Sequence, residues 1–301
     1  MYCLNGHGPI SESGNHTFTL LDYRTHSNDA AKTKHAIKTY GSVLTSIYLN
    51  EEDTAVYNSD NASYYNASIK NPRTHELVLI GWDDHYDKTQ FKKMPKNNGA
   101  FIALNSFGNS WGDGGLLYIS YEDVHVLYET YALTRFERKQ ATNKAYFYDK
   151  TGLTHFESYG QHKSVFGINN FTSTVKETLK RISFFASPDV NEVRLYYGLG
   201  HFKGSAGSPV YTLKIPYAGY YTIDLPTPLS LKQAETQFWV GVEFKGNSEF
   251  LVPIEAPYPL MNYSISANRN EGYIGTSQTF KDLVEIRKNA SVAIRAITSI
   301  D

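Results

Sequence analysis

The stretch Asn105-Ser-Phe-Gly-Asn-Ser-Trp-Gly-Asp-Gly-Gly115 follows directly on one apolar run, Ala100 to Leu104, and leads into another, Leu116 to Tyr121. The pattern predicts two strands joined by a Gly-rich connection. His75, 30 positions before Asn105, opens a third run, Glu76 to Trp82 (ELVLIGW). Its continuous apolar character is that expected of a strand buried on both faces. A histidine and an amide side chain at the ends of adjacent core strands can meet in space.

Such a pair has a specific chemical use. A thiol becomes a nucleophile when an imidazole takes its proton, and the imidazole needs a neutral acceptor to fix its tautomer and orientation. An Asn carbonyl supplies that acceptor without adding negative charge. In the order helix, Tyr40-Gly-Ser-Val43 strand, His75, Gly81-Trp82 and Asn105-Ser-x-Gly-x-Ser-Trp-Gly112, residues 30–135 resemble the papain (C1) family of cysteine peptidases. The resemblance implies a cysteine-type endopeptidase with His75 as general base and acid and Asn105 as its orienting partner. It places Trp111 in the wall of the site. Phe107 stands where the family usually has a Trp that shields the His–Asn bond, and a phenyl ring also excludes water. Glu76 follows His75 where a small apolar residue is usual. Its carboxylate either raises the imidazole pKa or points outward.

The larger departure is a missing nucleophile. In papain-like enzymes the cysteine lies in a Cys-Trp context about 130 residues before the histidine. Cys3, the only cysteine here, precedes His75 by 72 positions in a Tyr-Cys-Leu-Asn context, a poor match. The Gln and backbone N–H that form the family's oxyanion hole belong to the same absent segment. The chain alone is therefore expected to be inactive, a fragment or a partner of a Cys-bearing half-domain. It should also present the apolar face against which that half packs.

Before the site, Met1 to Asn28 is Gly-, Ser-, Asn- and His-rich with weak periodicity and does not read as the start of a domain. Asn28-Asp29 caps a helix from Ala30 to Tyr40, with Ala30, Ile37 and Tyr40 on one face and Gly41 ending it. Ser42 to Leu49 reads as a strand, and Asp83-Asp84-His85 as a polar turn rather than a metal site. A short helical segment near Asp123 and a strand from Thr130 to Phe136 complete a partial peptidase domain, residues 1–138. A charged linker, 139–144, follows. Beyond it the pattern is one of short alternating strands: Val193, Leu195 and Tyr197; Tyr221, Ile223 and Leu225; Phe238, Val240, Val242 and Phe244; Val292, Ile294 and Ala296. That series predicts an antiparallel β-sandwich over 145–301. Its AYFYDKTGL opening at Ala145 and its PYAGYYTIDL stretch, Pro216 to Leu225, resemble the lectin-like domain of cell-surface C1 peptidases of anaerobic bacteria and archaea. The tyrosines at 196, 197, 217, 220 and 221 either stack on sugar rings or pack on strand faces.

The fold class is thus α+β, mostly β: the C-terminal, barrel-like half of a papain fold followed by a β-sandwich. The 301 residues carry 29 Lys+Arg against 30 Asp+Glu with no block of like charge, which argues against a nucleic-acid surface. No stretch is long and apolar enough to span a bilayer, and no signal peptide opens the chain. The 24 Tyr and 16 Phe suit strands. Candidate partners are a peptide or protein substrate, a Cys-bearing half-domain and a cell-surface glycan; no metal or other cofactor is called for. The resemblance implies an extracellular or cell-surface setting for the full-length protein. The alternative function is a non-catalytic surface binding module with a decayed peptidase half.

Overall fold

The computed structural model describes residues 17–50, 55–258 and 265–300. The chain forms two compact units, one built on Tyr23–Thr134 and the other on Arg135 onward together with the segment that ends at Asp22.

The first unit runs β1 (Phe18–His26), α1 (Ala30–Tyr40), β2 (Val43–Ile47), β3 (Tyr57–Asn58), β4 (Ser63–Tyr64), β5 (His75–Asp83), β6 (Ala100–Leu104), β7 (Leu116–Ser120) and β8 (Thr130–Arg138). Strands β1 and β8 are where the chain passes between units. The sheet order is β3-β4-β7-β6-β5-β2-β8-β1. Helix α1 starts where Asp29 accepts the Lys32 N–H (2.9 Å) and stops where Gly41, left-handed at φ 88°, donates its N–H to Ile37 O. It buries Thr33, Ala36 and Ile37. Tyr40, expected on the same face, is exposed because the helix ends there.

Leu77, Leu79, Phe101, Ala103, Leu117 and Ile119 alternate inward from β5, β6 and β7 and form the core with Ala36, Ile37, Val43 and Ile47. The other side of this sheet departs from expectation, since β5 is buried on one face only. Leu44 pairs with Val78, Val78 with Leu104, and Leu104 with Leu116, so four apolar side chains form one row across β2, β5, β6 and β7. Leu104 is 46% exposed, and Ile80, the extra residue of a bulge between Leu79 and Gly81, is 40% exposed. The apolar run ELVLIGW thus supplies an inner core face and an uncovered outer one.

Two further expectations change. Phe18–His26 is a strand, although the opening looked unpatterned, because Leu21, Asp22 and Tyr23 are buried in succession and hide the alternation. Around Asp123 the chain makes turns instead of a helix: the buried Asp123 carboxylate accepts the N–H groups of Asn66, His125 and Val126, diverting donors that a helix would use.

Among its described residues the second unit is all antiparallel apart from one short helix. It contains β9 (Asn143–Tyr146), β10 (His155–Ser158), β11 (Ser164–Thr172), β12 (Glu177–Ala186), β13 (Val190–Leu199), β14 (Tyr211–Lys214) and β15 (Gly219–Leu231). β16 (Gln237–Gly246), β17 (Phe250–Glu255), β18 (Gly272–Gly275), β19 (Phe280–Asp282), α2 (Leu283–Ile286), β20 (Ser291–Val292) and β21 (Ile294–Ile300) follow. A six-stranded sheet, β14-β13-β16-β11-β18-β19, accompanies a β15-β12-β21-β9 layer and a three-stranded β10-β17-β20 sheet. Val193, Leu195, Phe238, Val240, Val242, Phe244, Val292, Ile294 and Ala296 meet in one core. Tyr196, Tyr220 and Tyr221 are buried, so packing accounts for these three tyrosines.

Candidate active site

The site is set by the β5–β6 ladder. Val78 faces Leu104, so Asn105, the next residue on from β6, comes opposite Leu77 and diagonal to His75 on the same face. His75 is held at the mouth of β5 by its neighbour. Thr74 donates its N–H to Ile47 O (2.9 Å), and its hydroxyl both donates to Leu49 O (3.0 Å) and accepts the Leu49 N–H (2.9 Å). Upstream, His125 donates from Nε2 to Asn71 O (2.8 Å), bracing the segment that leads into β5.

Asn105 is fixed from the other side. Its N–H donates to Gly115 O (3.0 Å), and Gly115 donates to Trp111 O (2.7 Å), closing the 105–115 connection on itself. Gly108, Gly112, Gly114 and Gly115 all have positive φ, and at Gly112 a Cβ would lie 2.4 Å from Leu116 O, so no other residue fits the turn.

The structure brings the two side chains together: His75 Nε2 is 2.7 Å from Asn105 Oδ1. The Ser106 N–H also donates to Oδ1 (2.8 Å), which fixes the amide with its oxygen toward the imidazole. Because that oxygen only accepts, Nε2 must carry the ring's hydrogen, and Nδ1 of the neutral ring keeps its lone pair. Nδ1 makes no hydrogen bond among the described residues. The arrangement can take a proton at Nδ1 while Nε2 goes on donating to a neutral partner. Asn105 Nδ2 is buried without a partner among the described residues, an orphan that a purely structural Asn is expected to avoid.

Aromatic rings stack outward from the imidazole. Phe107 lies 4.9 Å from His75 between centroids, Trp111 meets Phe107 edge-on at 5.4 Å, and Tyr57 stacks on Trp111 at 5.3 Å. Tyr57 carries no signal of its own in the sequence, where it is one of several tyrosines in an Asn-rich polar stretch. Glu76 alternates to the opposite side of β5, across from Ser46. Burial pushes its carboxyl above the usual range. Asp84 accepts from Lys34 and Tyr121 and is held low by them, and His85 donates its N–H to Asp83. No metal-holding group of three His, Cys, Asp or Glu occurs among the described residues. Cys3 lies outside the described residues.

Residues 145–298 match the lectin-like domain family, and residues 9–135 match the papain family of cysteine proteases. The chain belongs to the lectin-like family and carries a papain-family segment. Two solved structures share the arrangement. One is the clostridial cysteine protease Cwp84 after propeptide cleavage, as a Cys-to-Ala variant: TM-score 0.83, 22% identity, 96% of this chain and 73% of that one. The other comprises the cysteine protease and lectin-like domains of Cwp84, a surface layer associated protein of Clostridium difficile: TM-score 0.80, 22% identity, 96% of this chain and 65% of that one. At this identity the likeness is one of fold: part of a papain fold followed by a lectin-like β-sandwich. The chain spans about two thirds to three quarters of the length of these structures. No curated protein matches it significantly in sequence.

Proposed function

We propose that this chain supplies the base of a papain-like cysteine peptidase. His75 takes the proton of a thiol through Nδ1 and later returns it to the leaving amine, Asn105 holds the ring, and Phe107 and Trp111 keep water from the His–Asn bond. The observation that carries this is the 2.7 Å His75–Asn105 contact with the amide's polarity set by Ser106. The thiol comes from a Cys-bearing segment other than the described residues. The peptidase acts on peptide or protein substrates at the cell surface. The surface-layer association of Cwp84 supports that setting.

The test is thiol labelling by an epoxide inhibitor of cysteine peptidases, applied to the native assembly from the source organism and to this chain alone. The native assembly is expected to be labelled and the isolated chain not. If neither reacts, the peptidase reading fails and the surface binding module takes its place, supported by the lectin-like family match over 145–298.

A further inference from the structure

The second unit carries an open cavity of about 380 Å³ between the turn that follows β10 and the segment β19–α2. Its lining is Ser158, Tyr159, Gly160, His162, Lys281 and Ile286. We propose that this cavity binds an acidic saccharide, a sugar ring that bears a carboxylate or a phosphate. The proposal does not rest on the peptidase reading.

The chemistry of the lining selects the ligand. A sugar ring has an apolar C–H face and a rim of hydroxyls, so its site needs an aromatic or aliphatic wall with a few convergent polar groups. Tyr159 and Ile286 give the wall. The Ser158 hydroxyl, the His162 imidazole and the Lys281 ammonium give the polar groups. The Tyr159 ring stacks near-parallel to His162, with 6.2 Å between centroids, and its hydroxyl sits 3.3 Å from that of Thr279, so the wall is held in place from both ends. Gly160, left-handed at φ 61°, turns the chain there, and a Cβ on it would stand 3.7 Å from the His162 ring. The register shift between Glu157 and Ser158 bends β10 into this turn.

The demand for negative charge follows from where the nearby carboxylates are spent. Glu157 holds Arg287 at 2.5 Å and Glu285 pairs with Arg269 at 3.2 Å, while Asp282, the next residue on β19, alternates to the buried side of the strand, away from Lys281, and there accepts the N–H groups of Asn270 (2.6 Å) and Val284 (3.2 Å). No carboxylate lines the cavity, and Lys281 has no ion-pair partner among the described residues. An ammonium left uncompensated beside an aromatic wall favours an anion carried on a ring over a neutral sugar.

Calorimetric titration of the full chain tests this with three probes: trigalacturonic acid, its methyl ester, and a trisaccharide ending in a sugar phosphate. At least one acidic probe is expected to bind, about tenfold or more tighter than the ester. Lys281→Gln, a change at an exposed side chain that leaves the melting temperature unaltered, should lose about tenfold for that probe. Tyr159→Leu should weaken both acidic and neutral sugars. Which acidic probe binds tells carboxylate from phosphate. The proposal is overturned if neither acidic probe binds tighter than the ester, if Lys281→Gln binds the preferred acidic probe as the parent does, if inorganic phosphate binds as tightly as that probe, or if no probe binds.

Discussion

Leu104 stands directly across the ladder from Val78 on the side of the sheet that faces away from the core, and it is 46% exposed. With Leu44 and Leu116 in line on the flanking strands, this face is wider than a scattered surface leucine explains. A Leu104→Lys variant should therefore bind less of an apolar-surface dye and self-associate less in sedimentation velocity. Its unfolding free energy should move by no more than about 0.5 kcal/mol, as for an ordinary surface change. Equal dye binding and equal sedimentation in the two proteins would mean that the row is already covered.

The His75–Asn105 contact predicts a graded loss of reactivity in a labelled, active assembly. His75→Ala removes the base and should slow epoxide labelling by about 10²–10⁴-fold. Asn105→Ala leaves the base but frees its ring to turn, so the loss should be smaller, on the order of tenfold to a hundredfold. Pseudo-first-order labelling rates measure both. Equal losses from the two variants would assign Asn105 more than a positioning role.

The Gly112 turn can be tested against its neighbour Gly114. Both have positive φ, but only at Gly112 would a Cβ meet backbone, 2.4 Å from Leu116 O; at Gly114 nothing lies within 4 Å. Gly114→Ala should cost about 1–2 kcal/mol from its left-handed conformation alone. Gly112→Ala must also move the chain and should exceed about 3 kcal/mol. Urea unfolding of the two variants decides it, and equal costs would show that the turn can open without penalty.

The parts legible in the sequence are those in which one short pattern decides a local structure. Asp29 and Gly41 bound α1 where a cap and a left-handed stop belong. The runs at Ala100–Leu104 and Leu116–Ser120 are strands because apolar alternation and a Gly-rich connection leave little else. His75 and Asn105 are brought together by register, which a sequence hints at only through a motif. Other features were hidden because they depend on neighbours distant in sequence. The continuous apolar run of β5 gives no sign of which face lacks a cover, and Tyr57 shows its stack on Trp111 only after folding. In β1, buried Asp22 breaks the apolar pattern because it pairs with Arg135 at 2.8 Å, a contact over one hundred positions away.

That ion pair belongs to a network in the second unit with a pH signature. Arg135 contacts Asp22 and Asp224, and Arg181 contacts Asp224 (2.6 Å) and Glu137 (2.7 Å). Burial pushes the Asp224 carboxyl up, but hydrogen bonds and charge from Arg181 and then Arg135 outweigh it and hold the group below its ordinary value. A carboxyl depressed in the folded state adds stability above its unfolded pKa of about 3.9 and loses it as pH falls through the lower folded value. The stability gap between the parent and Asp224→Asn should thus be full at neutral pH and close below about pH 4. Because Asp224 is largely exposed, the gap should stay within about 1 kcal/mol. Urea midpoints across that range measure it, and a gap independent of pH would show that the pairing contributes nothing through charge.

Asp149 and Arg295 make the opposite kind of pair. Both are buried, with Arg295 Nη2 2.6 Å and Nε 3.0 Å from Asp149 Oδ2, and Phe147 and Phe185 lie against the guanidinium. Burial opposes the charge on Arg295, yet attraction to Asp149 keeps it firmly protonated. Removing one partner leaves the other as a buried, uncompensated ion, whereas replacing both removes that cost. Asp149→Ala should therefore destabilise the second unit by about 3–5 kcal/mol, and adding Arg295→Met should recover a large part of the loss. Urea unfolding of the single and double variants in the full chain separates the two effects. A double variant no more stable than Asp149→Ala would mean that the carboxylate holds the turn after β9 by geometry and not by charge.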